Sequence, residues 1–184
     1  MKIECLRRED AEDGREILAA FLRTLGAVAR YGRMTVYEGD IYYVPYAMVP
    51  YYVEETGETY VFIVSEVSED ISVYKQDGRN QVVLSVLEAD PDYILDGTGV
   101  KGELLQEVEK KIRMNRKMRK LFSRYHVTRG QMRTVYLAER VFYGRGRDDR
   151  LFLVDMLLQK VDFRNLHQVE EKFANNYLRS HSGG

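Results

Sequence analysis

The chain has 184 residues, 45% of them hydrophobic, and its 28 Lys and Arg nearly balance 29 Asp and Glu, for a formal net charge of −1. A chain of this length buries a real core unaided, and Cys5, the only cysteine, excludes an intrachain disulfide and a thiolate zinc site. The near-zero net charge hides two opposed blocks. Residues 110–150 hold fourteen Lys and Arg against Glu139, Asp148 and Asp149, a net of +11, whereas residues 34–100 hold thirteen acids against Lys75 and Arg79, a net of −11. Such segregation points to an anionic partner for the basic block, or to the two blocks facing each other.

The first ten residues mix both charge signs and lack the apolar stretch of a signal peptide, so no secretion signal is expected. The longest uncharged apolar run, 41–53, is too short for a membrane-spanning helix and contains Pro45 and Pro50. The cytoplasm is the expected location.

Asp10 and Asp13 precede Ile17, Leu18, Phe21, Leu22 and Leu25 at helical spacing, which predicts a capped amphipathic helix to about Ala29, ended by Tyr31 and Gly32. The period then becomes strand-like over 34–38, 41–53, 59–67, 71–75 and 81–87. Thr56-Gly57 and Asp77-Gly78 read as hairpin turns, so the product is an antiparallel meander. Both alternating sets of 59–67 are apolar, which suits a strand covered on both faces, one of them by the first helix. Six tyrosines fall between Tyr37 and Tyr52, and they could stack bases. Two prolines five residues apart point instead to an edge strand or a bend, and the acidic neighbours would repel phosphate.

Residues 97–102 match G-x-G-x-x-G through Gly97, Gly99 and Gly102, ahead of a helix, where backbone amides could cradle a phosphate. No βαβ unit follows, so a glycine-rich connector is the preferred reading. From 103 to 129 there is neither Gly nor Pro, which predicts one long helix ending near His126. Leu104, Leu105, Val108, Ile112, Met118, Phe122 and Tyr125 gather on one side of it, with Lys110, Arg113, Arg116, Lys117, Lys120 and Arg124 opposite. The bland explanation of those cations is dipole complementarity, with Glu107/Lys111 and Glu109/Arg113 as i,i+4 pairs.

The stretch 134–161 fits strand and helix alike and is read as a hairpin turning at Gly144-Arg145-Gly146. Leu166, Val169, Phe173 and Tyr177 mark a final helix, with a flexible tail ending in Gly183 and Gly184. His126, His167 and His181 lack metal or catalytic spacing, no G-x-S-x-G elbow is present, and Asp90, Asp92 and Asp96 read as a turn. No cofactor or metal is expected.

The expected architecture is α+β: an N-terminal helix packed on an antiparallel β-meander (1–98, acidic), followed by a long amphipathic basic helix and a helical C-terminal part (99–184). The expected function is a non-enzymatic cytoplasmic interaction protein whose basic helix face binds an acidic protein or nucleic acid. Two alternatives stand beside it. One is a homo-oligomer joined by acidic-sheet and basic-helix complementarity; the other is a phosphate- or nucleotide-binding enzyme built on the 97–102 loop.

Overall fold

A computed structural model describes residues 1–8, 13–68, 71–76, 82–97 and 101–181. The chain opens with a strand, β1 (Lys2–Arg8), in which Ile3 and Cys5 turn inward while Lys2 and Arg7 stay in solvent. Ile3 and Cys5 alternate with Lys2 and Glu4, but Leu6 is buried on the opposite face and Arg7, in phase with Cys5, is exposed. Asp13 then caps α1 (Gly14–Leu22), accepting from the Arg15 amide at 2.9 Å. The predicted single helix stops there, because Thr24 caps a second one, α2 (Leu25–Tyr31), by accepting from the Ala27 amide at 3.3 Å. As expected, α2 ends at Gly32, whose φ of 69° suits a residue without a side chain.

The next strands are β2 (Thr35–Val53), β3 (Glu58–Ser65), β4 (Ile71–Gln76) and β5 (Val82–Glu88). Two helices follow, α3 (Lys101–Met114) and α4 (Arg116–Arg124). The C-terminal part supplies β6 (Val127–Arg129), β7 (Arg133–Arg145), β8 (Arg150–Asp155), β9 (Lys160–Asp162) and α5 (Leu166–His181).

These strands form one nine-stranded sheet in the order β4-β3-β2-β7-β1-β5, with β6 on β2, β8 on β7 and β9 on β8. The expected helix-on-meander fold is therefore wrong. The sheet is mixed, since β1 runs parallel to β7 and antiparallel to β5. The C-terminal half, expected to be helical, inserts β7 between β2 and β1. The Thr56-Gly57 hairpin does form between β2 and β3, with Gly57 at φ 67°. Asp77-Gly78 lies outside the described residues, and the strands on either side of it, β4 and β5, pair with different neighbours. The hairpin read around Gly144 to Gly146 is present as β7 and β8.

Pro45 and Pro50 lie in a central strand rather than at an edge. Each points its missing N–H at a gap in the ladder. The Pro45 carbonyl accepts from the Glu66 amide at 3.0 Å, just past the end of β3, and the Pro50 carbonyl accepts from the Gly130 amide at 2.8 Å, between β6 and β7. In an antiparallel strand the N and O of one residue share a side, so each proline keeps the bond its carbonyl accepts and forgoes only the one its nitrogen would donate, at a position just outside the neighbouring strands.

Successive residues of β2 serve opposite layers. Tyr42, Val44, Tyr46 and Met48 pack with Val135, Leu137, Leu153 and Val169 of α5, whereas Ala47, Val49 and Tyr51 pack with Phe62, Leu104 and Val108. Thus α3, and not α1, covers β3. The helices α1 and α2 close a third cluster over Phe142, Phe152 and Val154 through Ile17, Leu18 and Tyr31.

The long basic helix expected from the lack of Gly and Pro is two helices, parted at Asn115. Its backbone is extended at φ −81°, ψ 113°, and its side chain accepts from the amides of Lys117 at 3.0 Å and Met118 at 3.2 Å. Asn is a strong cap and a weak helix-interior residue, because its amide competes for backbone donors. Asn115→Ala should lower stability by about 1 kcal/mol, read as a reduced urea midpoint with unchanged slope. No helix among the described residues is long and apolar enough to cross a membrane.

Candidate functional site

The basic face is built by helix geometry and by what lies beneath it. Met118 and Phe122 pack α4 onto the cluster around Ala47, Val49 and Tyr51, with the Phe122 and Tyr51 ring centroids 5.1 Å apart. With that stripe occupied, Lys110, Arg113, Arg116, Lys117, Lys120 and Arg124 are all exposed. The expected i,i+4 pairs do not form. Glu107 instead meets Lys110 at 3.2 Å, and Glu109 meets Arg129 at 3.7 Å. Among the described residues Arg113, Arg116, Lys117, Arg119 and Lys120 form no ion pair, and Arg124 lies 5.4 Å from the Tyr125 ring centre.

The rest of the basic block behaves differently. Arg133 reaches Glu4 at 3.8 Å, Arg140 pairs with Glu38, and His126 lies 3.5 Å from Glu54. Beyond residue 124 the block divides: Arg129, Arg133 and Arg140 pair with acids, whereas Arg145, Arg147 and Arg150 form no ion pair among the described residues.

The glycine loop lies only in part among the described residues. Gly99 lies outside the described residues, and Gly102 sits in the first turn of α3. A side chain at Gly97 would meet the Glu66 carboxylate at 2.6 Å, so this glycine is needed for close packing against an acid. A carboxylate at that distance disfavours phosphate. The six tyrosines likewise form no platform, because Tyr42, Tyr46 and Tyr51 are buried, Tyr43 is half-buried, and only Tyr37 and Tyr52 are exposed.

A cleft of about 980 Å³ lies at the far end of β2, between α2, the β7–β8 hairpin and α5. Its walls are aromatic, with Tyr31 and Phe152 edge-to-face at 5.4 Å and Tyr143 and Phe173 at 5.3 Å. Three guanidinium groups edge it. Arg30 and Arg150 lie 5.4 and 5.7 Å from the centre of the Tyr31 ring, and Arg145 lies 5.7 Å from that of Tyr37. None of the three forms an ion pair among the described residues, although Asp149 and Glu170 also line the cleft. Sequence reasoning missed this site because its parts come from four separated segments.

Also missed was a buried polar network behind the sheet. Asn165 donates to the Tyr46 hydroxyl at 3.1 Å and to Glu139 at 2.6 Å, and accepts from Ser65 at 3.3 Å. Asp155 accepts from the Leu157 and Leu158 amides at 2.9 and 2.8 Å. Arg164 lies 3.6 Å from Asp155, forks onto Asp162 and donates to Ser72 at 3.3 Å. Burial, then the charge of Asp155, pushes the Glu139 carboxyl up to about 8. Burial raises Asp155 as well, while Asp162, despite its burial, is held below the usual carboxylate range by bonds from Arg164. Neither Glu139 nor Asp155 lines the cleft. A signal was present in the sequence: Glu139 falls in step with Val135, Leu137 and Val141, an acid in the buried phase of a strand.

Among the described residues no three His, Cys, Asp or Glu side chains converge as a metal would require. Compared with models of protein families, with curated proteins and with solved structures, the chain has no significant match.

Proposed function

We propose that the chain is a non-enzymatic interaction protein that docks an acidic macromolecule on the outer face of α3 and α4, with a nucleic-acid backbone as the partner of choice. The observation that carries this reading is the exposure of all six cations of that face over a helix whose apolar stripe is already occupied. Solvated Lys and Arg without internal partners retain their donors for phosphate, and the Arg side chains can grip two oxygens at once. The occupied stripe argues against insertion into lipid, which requires a free apolar face.

If about five of these cations meet phosphates, the logarithm of affinity should fall with the logarithm of salt concentration with a slope of roughly −4 to −5. Lys117→Glu with Lys120→Glu should weaken binding by more than about tenfold and flatten the slope by about 2. Fluorescence anisotropy with labelled single- and double-stranded oligonucleotides at low salt is the test, and no binding to either would remove nucleic acid as the partner. A mass that doubles at low salt and reverts with these same charge reversals would favour self-association instead.

A further inference from the structure

The cleft beside β8 has a property that neither the basic helix nor its proposed partner explains. Strand β9 pairs only with Leu153, Val154 and Asp155, so the outer edge of β8 from Arg150 to Phe152 has no neighbouring strand among the described residues. The Met156 amide donates to the Ala138 carbonyl at 3.1 Å, which sets the alternation along this regularly paired ladder. Even-numbered residues of β8 therefore bond inward to β7, and the odd-numbered ones face outward. Asp155 and Leu153 meet β9 in this way. Leu151, next in that phase and part of the cleft lining, turns its N–H and C=O to this outer edge, where no described strand pairs with them.

The cleft also straddles the sheet. Phe152 and Tyr31 belong to the layer closed by α1 and α2, whereas Leu151, Tyr143 and Phe173 belong to the layer closed by α5. A small planar molecule would occupy one layer. An added strand sends alternate side chains to both, which is the shape present here.

We infer that this edge takes up a short extended peptide by strand addition, pairing with the Leu151 N–H and C=O and placing aromatic or aliphatic side chains on both faces of β8. The peptide is acidic. Arg30, Arg145 and Arg150 are the charges at the mouth without ion-pair partners, each held near an aromatic ring, and they outnumber Asp149 and Glu170. Their in-plane donors remain free to grip carboxylates that flank the apolar residues.

The test is an array of short peptides that alternate Glu or Asp with Phe, Tyr or Leu, followed by titration of the best binder in solution against the full chain. Saturable binding is expected, weakened about tenfold or more by Arg145→Glu with Arg150→Glu, a loss typical of a broken charge-assisted pair. Methylating the peptide backbone at alternate amides should abolish binding in one phase and spare it in the other, a readout that leaves the protein unchanged. The Lys117→Glu and Lys120→Glu reversals on α4 should leave this binding intact, so failure here and failure of the nucleic-acid reading are separable. Three outcomes would overturn the inference: no binder in the array, binding indifferent to the phase of methylation, or capture of a nucleotide or a fatty acid at the cleft while the peptides fail.

Discussion

Replacing Arg164 with Met should lower the stability of the fold by about 3–5 kcal/mol, the usual result of stripping the partner from a buried charge. The size follows from what the guanidinium neutralises. Asp155 is fully buried and Asp162 nearly so, and Arg164 forks onto the second while standing 3.6 Å from the first. Both carboxylates lie around the β8–β9 hairpin, so their repulsion would act on the pairing that joins β9 to β8. Met fills much of the same volume, which confines the loss to charge and hydrogen bonds. Urea unfolding at pH 7 measures it, and a loss below about 1 kcal/mol would show that the network carries little stability. Arg164→Lys should fall between the two, because it keeps the charge and loses the fork.

The second large effect is one of pH. Below about pH 4.5, Glu139 is protonated in both the folded and the unfolded chain. Between that value and about 8, the folded chain retains a proton that the unfolded chain has released. Stability that is fully present below the ordinary carboxylate pKa is therefore lost as pH rises through the folded value, at up to about 1.4 kcal/mol per unit. The total is on the order of 5 kcal/mol. The raised Asp155 adds to the fall, whereas the lowered Asp162 acts only near and below its ordinary value of 3.8, outside this window. Glu139→Gln keeps an oxygen to accept from Asn165 and has no proton to lose. Its urea midpoint should decline less from pH 5 to 8 than that of the wild type, the remaining fall coming from Asp155, and parallel pH profiles for the two proteins would refute the assignment.

Much of the local structure was legible because local chemistry decides it. Asp13 and Gly32 bound the first helical region, Gly57 turns a hairpin, and Leu166, Val169 and Phe173 mark the last helix. The exposed cations of α3 and α4 followed from helical projection alone. What failed was long-range. Charges at Lys2, Glu4, Arg7 and Arg8 hid the alternation of β1, and nothing near them announces that β1 will lie beside a strand more than a hundred residues away. The two prolines pointed to an edge strand or a bend, yet β2 is central, because each proline nitrogen faces a position at the end of a neighbouring strand, a long-range circumstance that nothing near residues 45 and 50 announces. Asn115 was overlooked because absence of Gly and Pro is a weaker rule than presence of a cap.

The length of β2 has a consequence of its own. Tyr37 stands at the arginine-edged cleft and Tyr51 beneath α4, so one continuous strand passes both surfaces and holds them at most about 45 Å apart at 3.3 Å per extended residue. The strand has a partner along its whole length, β7 over Thr35–Met48 and β3 over Tyr46–Val53, and the spacing acts as a ruler. A partner whose phosphate tract and acidic-aromatic segment are joined by a linker matched to that span would make its second contact intramolecularly. Its effective local concentration would reach about the millimolar range, so two individually weak contacts would give durable attachment, whereas a partner with a shorter linker would gain nothing from the second site.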